Sequence, residues 1–123
     1  MNIALWIAAG LLALVFLASG SLKLARPRAA LAGRMGYVED FSDVQVKGIG
    51  ALEVLAAIGL IGPAVLHLAT FLTPLAAVGL IAVMLGAAAT HLRRREPSLI
   101  VVNVVLLALA AFVAWGRFGP YPL

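Results

Sequence analysis

Four polar residues stand out in an otherwise apolar chain: Lys23, Glu53, His91 and Asn103. Glu53 lies inside an apolar run over residues 48–57. A charge at such a depth in a bilayer is expensive, so the acid is expected to be neutral, paired or functional. An amine, an imidazole and an amide can donate hydrogen bonds to the head of a small molecule, and an acid can relay protons to it. We therefore take these four residues as candidate ligand-binding residues.

The elements that position them must be membrane helices. Of the 123 residues, 64% are hydrophobic and 11% are charged, and the mean hydropathy is +1.13. Residues 3–22, 43–63, 70–91 and 98–116 form apolar segments, and about 20 helical residues suffice to cross a hydrocarbon core of about 30 Å. The sequence predicts an all-α fold, a single domain of four transmembrane helices in an antiparallel bundle.

Local signals predict where some of these helices begin and end. Ser42 can cap the second helix, with Gln45 as the reciprocal partner in a capping box. Its predicted end is at Gly62-Pro63. For the third helix two interpretations stay open, because Thr73-Pro74 is either its cap and first residue or a kink one turn inside it.

The distribution of basic residues predicts the topology. Five lie between residues 23 and 47, three more at residues 93–95, none between the second and third helices, and only Arg117 follows the fourth. This predicts cytoplasmic loops over residues 23–42 and 92–97 and both termini outside. Residues 27–36 are predicted to form a short helix on the membrane surface. The residues interpreted as topology anchors are Lys47, Arg93, Arg94 and Arg95.

The first apolar stretch has an alternative interpretation as a secretory signal. Its basic residues, however, follow the stretch instead of preceding it. That order favours a retained first helix.

Several classes of chemistry are not indicated. The chain has no cysteine, so thiol catalysis and iron–sulfur ligation are not expected. His67 and His91 are predicted at opposite ends of the third helix, too far apart to share a haem iron, and no metal site is predicted. The net charge of +4 follows from the basic loops and needs no nucleic acid to explain it. Gly48 and Gly50 are interpreted as helix-packing residues.

Each candidate residue also has a structural interpretation. Glu53 is either a buried acid that joins helices or part of a ligand-binding site. Asn103 either forms a hydrogen bond between helices or contacts a ligand. His91 and Lys23 are either interfacial residues or donors. Lys47 is turned about 120° away from Glu53 on the helical wheel, which makes Lys23 or His91 the better candidate partner.

The order and spacing of four short motifs resemble those of the DoxX-like family of small bacterial membrane proteins. The motifs are residues 20–24 at the end of helix one, 47–53 at the start of helix two, 91–93 at the end of helix three, and 115–117. The resemblance implies a four-helix bundle in a bacterial inner membrane and a name inherited from a small subunit of a quinone-linked oxidoreductase. Some relatives are thought to be accessory subunits of membrane redox assemblies. The family has no agreed catalytic residues to transfer.

The leading hypothesis is therefore an accessory subunit of a membrane redox assembly that binds a quinone or another lipid-phase molecule. No redox centre is evident on the chain, so a partner subunit is expected to supply one, and enzymatic activity stays undecided. A structural or assembly protein that docks a partner, with Glu53 paired across the interface, is the alternative. A small transporter built as a homo-oligomer is a third option.

Overall fold

The computed structural model describes residues 1–26 and 41–123, and within these every regular element is helical. The helices are α1 (Asn2–Ala25), α2 (Asp43–Leu66), α3 (Leu72–Arg93) and α4 (Pro97–Phe118). Each contains an apolar span with a mean hydropathy of at least 2.1 and is long enough to cross a membrane. The predicted all-α fold with four membrane-spanning helices is confirmed. The predicted surface helix over residues 27–36 lies outside the described residues.

The start of α2 follows from its local sequence. The Ser42 hydroxyl accepts a hydrogen bond from the Gln45 backbone N–H at 3.1 Å, and the Gln45 side chain accepts one from the Ser42 backbone N–H at 2.9 Å. Two N–H groups that the first turn would leave unpaired are thus satisfied, as the capping-box prediction required.

The end of α2 differs from the prediction, because the helix passes through Pro63 and continues to Leu66. A proline inside a helix has no N–H for the carbonyl four residues earlier, here that of Gly59. The Thr73 hydroxyl on α3 lies 3.2 Å from the carbonyl oxygens of both Gly59 and Leu60. A neighbouring helix therefore supplies the donor that Pro63 lacks, which is how membrane helices tolerate internal proline.

The start of α3 matches neither of the two open interpretations. Phe71 is the N-cap, so Thr73 and Pro74 both lie in the first turn of the helix. Backbone N–H groups in the first turn have no intrahelical acceptor, so a proline there breaks no bond. Pro74 is therefore compatible with an unkinked start of α3.

The four helices pack in a ring, with α1 held most closely to α2 and α3 to α4. Contacts between α2 and α3 and between α4 and α1 close the ring. The largest fully buried side chains in its centre include Phe16, Leu5, Leu12, Leu60 and Leu80. Because lipid tails are as apolar as leucine, close packing and interhelical hydrogen bonds must hold such a bundle together.

Candidate functional site

A cavity of about 570 Å³ lies between the two helix pairs, in the half of the bundle where α1 ends and α2 begins. All four candidate ligand-binding residues, Lys23, Glu53, His91 and Asn103, line it, one from each helix. Each of them is at most 7% exposed. Much of the remaining wall is apolar and includes Val15, Phe16, Ile49, Val83 and Leu106. The structure thus brings together residues that are up to 80 positions apart in the chain.

Glu53 forms an ion pair with Lys23 inside this cavity. The Lys23 amine lies 2.5 Å from the Glu53 carboxylate, and both side chains are 3% exposed. The same amine donates to the Ser19 hydroxyl at 2.9 Å. This confirms the expectation that the partner of Glu53 comes from another helix. Pairing is what makes two charges tolerable at this depth, because each compensates the desolvation of the other.

Two glycines allow α1 and α2 to approach closely beside the ion pair. A Cβ atom on Gly20 would lie 2.6 Å from the Gly50 carbonyl oxygen, and one on Gly50 would lie 2.7 Å from the Lys23 Cβ. Only residues without a side chain fit such a crossing. Gly50 therefore has the predicted packing role, whereas at Gly48 no atom of residues 1–26 or 41–123 lies within 4 Å of the position its Cβ would take.

Lys47 lies at the edge of this region and is exposed. Its amine donates to the Leu24 carbonyl oxygen at 3.1 Å. Leu24 is in the last turn of α1, where carbonyl groups have no intrahelical donor. Lys47 thus ties the end of α1 to the start of α2 and does not contact Glu53.

His91 is paired with a residue that the sequence analysis did not single out. Its Nδ1 atom lies 3.1 Å from the Glu96 carboxylate, and the Arg94 side chain donates to the same oxygen at 3.2 Å. Glu96 is the N-cap residue of α4. The sequence contains a signal for this pair: an acid at the start of a helix, five residues after a histidine, can reach back across a tight turn.

The arginines after His91 have different surroundings. Arg93 lines the cavity, Arg94 is partly buried beside Glu96, and Arg95 is exposed with a left-handed φ of 56°. Their role as topology anchors stays a prediction.

Asn103 contributes a polar atom that needs a partner. Its amide nitrogen donates to the Met84 sulfur at 3.3 Å, while its side-chain oxygen is buried with no hydrogen-bond partner among the described residues. A buried unsatisfied acceptor costs about 1–3 kcal/mol and is rare in native structures. Asn103 lines the cavity, and its unpaired oxygen would be satisfied by a hydrogen-bond donor placed beside it.

A second buried cation, Arg117, lies at the opposite end of the bundle. It donates to the Asn2 side-chain oxygen at 2.6 Å and to the Tyr121 carbonyl oxygen at 3.0 Å, and it stands 5.9 Å from the centre of the Trp6 ring. These contacts join the start of α1 to the end of α4. Arg117 is thus satisfied by structural contacts and is not part of the cavity.

Metal binding has no support in the residues that the structure describes. Among residues 1–26 and 41–123, no three acidic or histidine side chains are grouped closely enough to hold a metal ion.

Comparison with known proteins gives one result. A search of curated proteins and a search of solved structures returned no match. The model of the DoxX-like family matches residues 7–113, a range that contains most of all four helices and every candidate ligand-binding residue. With its four apolar helices, this chain belongs to the DoxX-like family of multi-pass membrane proteins.

Proposed function

We propose that this protein is an accessory subunit of a membrane redox assembly and that it binds a quinone or a similar lipid-phase molecule in the cavity. One observation carries the proposal: each of the four helices contributes a buried polar side chain to a single, mainly apolar cavity. Binding sites for small molecules typically combine apolar walls with a few polar groups in this way.

The polar groups are suited to a ring with two oxygens. Asn103 and His91 lie on the two helices of one pair, and Lys23 and Glu53 on the two helices of the other. A head between the pairs would have hydrogen-bonding groups on both sides. The volume of about 570 Å³ is within the range of small-molecule sites.

The Lys23–Glu53 pair is the proposed proton carrier. A bound quinone would supply two-electron chemistry, and its reduction requires protons at the ring oxygens. The Lys23 amine donates to the Glu53 carboxylate, and in this proposal Glu53 is the group that passes protons to the ring oxygens. The burial of the pair separates that transfer from bulk water.

Electrons must then come from a partner protein. The chain has no cysteine, and its two histidines, His67 and His91, follow α2 and end α3 respectively. Those positions are separated by nearly the whole length of α3, roughly 30 Å. The proposal therefore assigns the redox centre to another subunit and the quinone site to this one.

The test is purification from bacterial membranes in mild detergent, followed by mass spectrometry of co-purifying lipids and proteins. We expect a quinone in near-stoichiometric amount with the unmodified chain and its loss in Asn103→Leu. Glu53→Gln and His91→Ala should reduce quinone-dependent activity of the assembly, while the matched control Lys47→Met should not.

Absence of quinone from the native preparation, together with full activity of Asn103→Leu, His91→Ala and Glu53→Gln, would contradict the proposal. Asn103→Leu separates loss of binding from loss of folding, because it leaves the ion pair intact and is not expected to unfold the chain.

The docking alternative predicts that Glu53 pairs across an interface with a partner subunit. Within this chain Glu53 pairs with Lys23, an arrangement that does not favour docking. The same purification addresses it directly, because a pure docking role predicts a protein partner whose recovery is unaffected by Asn103→Leu and a preparation without a bound small molecule.

A further inference from the structure

A second concavity lies on the outer surface of the bundle, along the contact between α2 and α3. We refer to it as the α2–α3 groove; its lining includes Leu55, Gly59 and Pro63 on α2 and Leu72, Leu75 and Gly79 on α3. All of its lining residues are apolar, and its volume is also about 570 Å³. The groove runs from the far end of the bundle to the middle of the two helices.

The groove and the polar cavity adjoin each other. Ala82 and Val83 line both of them, so the apolar groove lies directly beside the cavity that holds the ion pair and Asn103. Small residues leave space on both sides of the junction, since no described residue has an atom within 4 Å of the Cβ position of Gly79 in the groove or of Gly86 in the cavity.

The hydrogen bonds inside the cavity indicate whether a ligand head should donate or accept a hydrogen bond. The Lys23 amine already donates to Ser19 and Glu53, and the Asn103 amide nitrogen donates to Met84. The atom that lacks a partner is an acceptor, the Asn103 side-chain oxygen. It is satisfied by a head that carries an O–H or N–H group, and not by one that has only carbonyl oxygens.

We propose, on the basis of the function proposed above, that the ligand is a single-tailed amphiphile with a hydrogen-bond-donating head. The head donates to the Asn103 side-chain oxygen, and the tail leaves the cavity past Ala82 and Val83 and lies in the α2–α3 groove. For a quinone-type ligand this selects the reduced, hydroxyl-bearing form. The groove between Ala82 and Leu72 is roughly 15 Å long at the helical rise per residue, and the tail must span that length.

This arrangement gives the ligand a route that stays within the membrane. The head lies at the level of the buried ion pair, and the tail extends across the middle of the bundle towards the opposite end. Because the groove is on the outer surface of the helices, a tail can enter it sideways from the surrounding lipid.

The test uses a photoreactive probe and the full chain in lipid nanodiscs. The probe has a hydroquinone head and a straight alkyl tail that spans the groove, with a diazirine near the tail end. After illumination, mass spectrometry of the peptides locates the label. We expect the label on α2 and α3 residues of the groove, and we expect excess unlabelled hydroquinone with the same tail to abolish it.

Two matched controls make the result specific. Gly79→Phe fills the groove and should lower labelling about tenfold, because a bulky side chain then competes with the tail for the same space. Gly48→Phe has equally open surroundings but lies outside both concavities, and it should label normally. The di-O-methyl ether of the head has no donor and should compete at least about tenfold less well, the loss expected for an unmet buried hydrogen bond.

The outcomes separate this inference from the function on which it rests. Label confined to α1 or α4, or unaffected by Gly79→Phe, overturns the position of the tail even if Asn103→Leu still abolishes binding. Equal competition by the di-O-methyl ether overturns the donor requirement. Absence of any competable labelling, with no quinone in the native preparation, overturns the proposed function as well.

Discussion

Removing one partner of the Lys23–Glu53 ion pair should destabilise the bundle more than any surface substitution. Glu53→Gln removes the negative charge with little change of shape, and Lys23→Met removes the positive charge but keeps most of the apolar stem. Both side chains are 3% exposed, so the remaining group stays largely shielded from water. Breaking a buried pair in this way costs about 3–5 kcal/mol.

The double substitution should recover much of this loss. With Lys23→Met and Glu53→Gln together, no uncompensated charge stays in the membrane, and replacing both partners is often close to neutral. The predicted coupling energy is therefore at least about 2 kcal/mol, the value that a double-mutant cycle isolates. The assay is unfolding of the purified chain by sodium dodecyl sulfate in mixed micelles, followed by tryptophan fluorescence.

Lys47→Met is the matched control, because Lys47 is an exposed lysine with a single hydrogen bond to the Leu24 carbonyl oxygen at 3.1 Å. It should change the unfolding midpoint little. If Glu53→Gln and Lys23→Met are no more harmful than Lys47→Met, the ion pair does not stabilise the bundle. If the two effects simply add in the double variant, the two charges are not energetically coupled.

Three further predictions concern stability. Thr73→Val should cost about 1–2 kcal/mol by leaving a carbonyl without a donor, and Pro63→Ala should remove that cost by restoring the backbone N–H; equal penalties in both backgrounds would count against the compensation. Gly20→Ala should lower the unfolding midpoint, because its Cβ would lie 2.6 Å from the Gly50 carbonyl oxygen; an unchanged midpoint would show that the helices can separate at no cost. Asn103→Leu should stabilise the ligand-free chain by about 1 kcal/mol while abolishing ligand binding, because it removes the unsatisfied oxygen; loss of both stability and binding would mean that Asn103 is chiefly a structural residue.

Much of the secondary structure could be predicted from short-range patterns. The hydropathy of four segments specifies helices that can cross a membrane, and the start of α2 follows from Ser42 and Gln45, which contact each other within one turn. Short-range patterns do not predict a helix boundary that depends on a contact from another helix. Pro63 was predicted to end α2, and the donor that allows the helix to continue is Thr73 on α3.

The sequence by itself determined that the chain has four apolar helices, with a few polar residues inside the apolar segments. It could do so because hydropathy and capping depend on residues within a turn or two of each other. Only the tertiary structure decided that Glu53 pairs with Lys23, that His91 pairs with Glu96, and that the Asn103 side-chain oxygen lacks a partner. Those outcomes depend on how the helices rotate and cross. The crossing of α1 and α2 at Gly20 and Gly50 is set by packing over the whole interface, which no local pattern specifies.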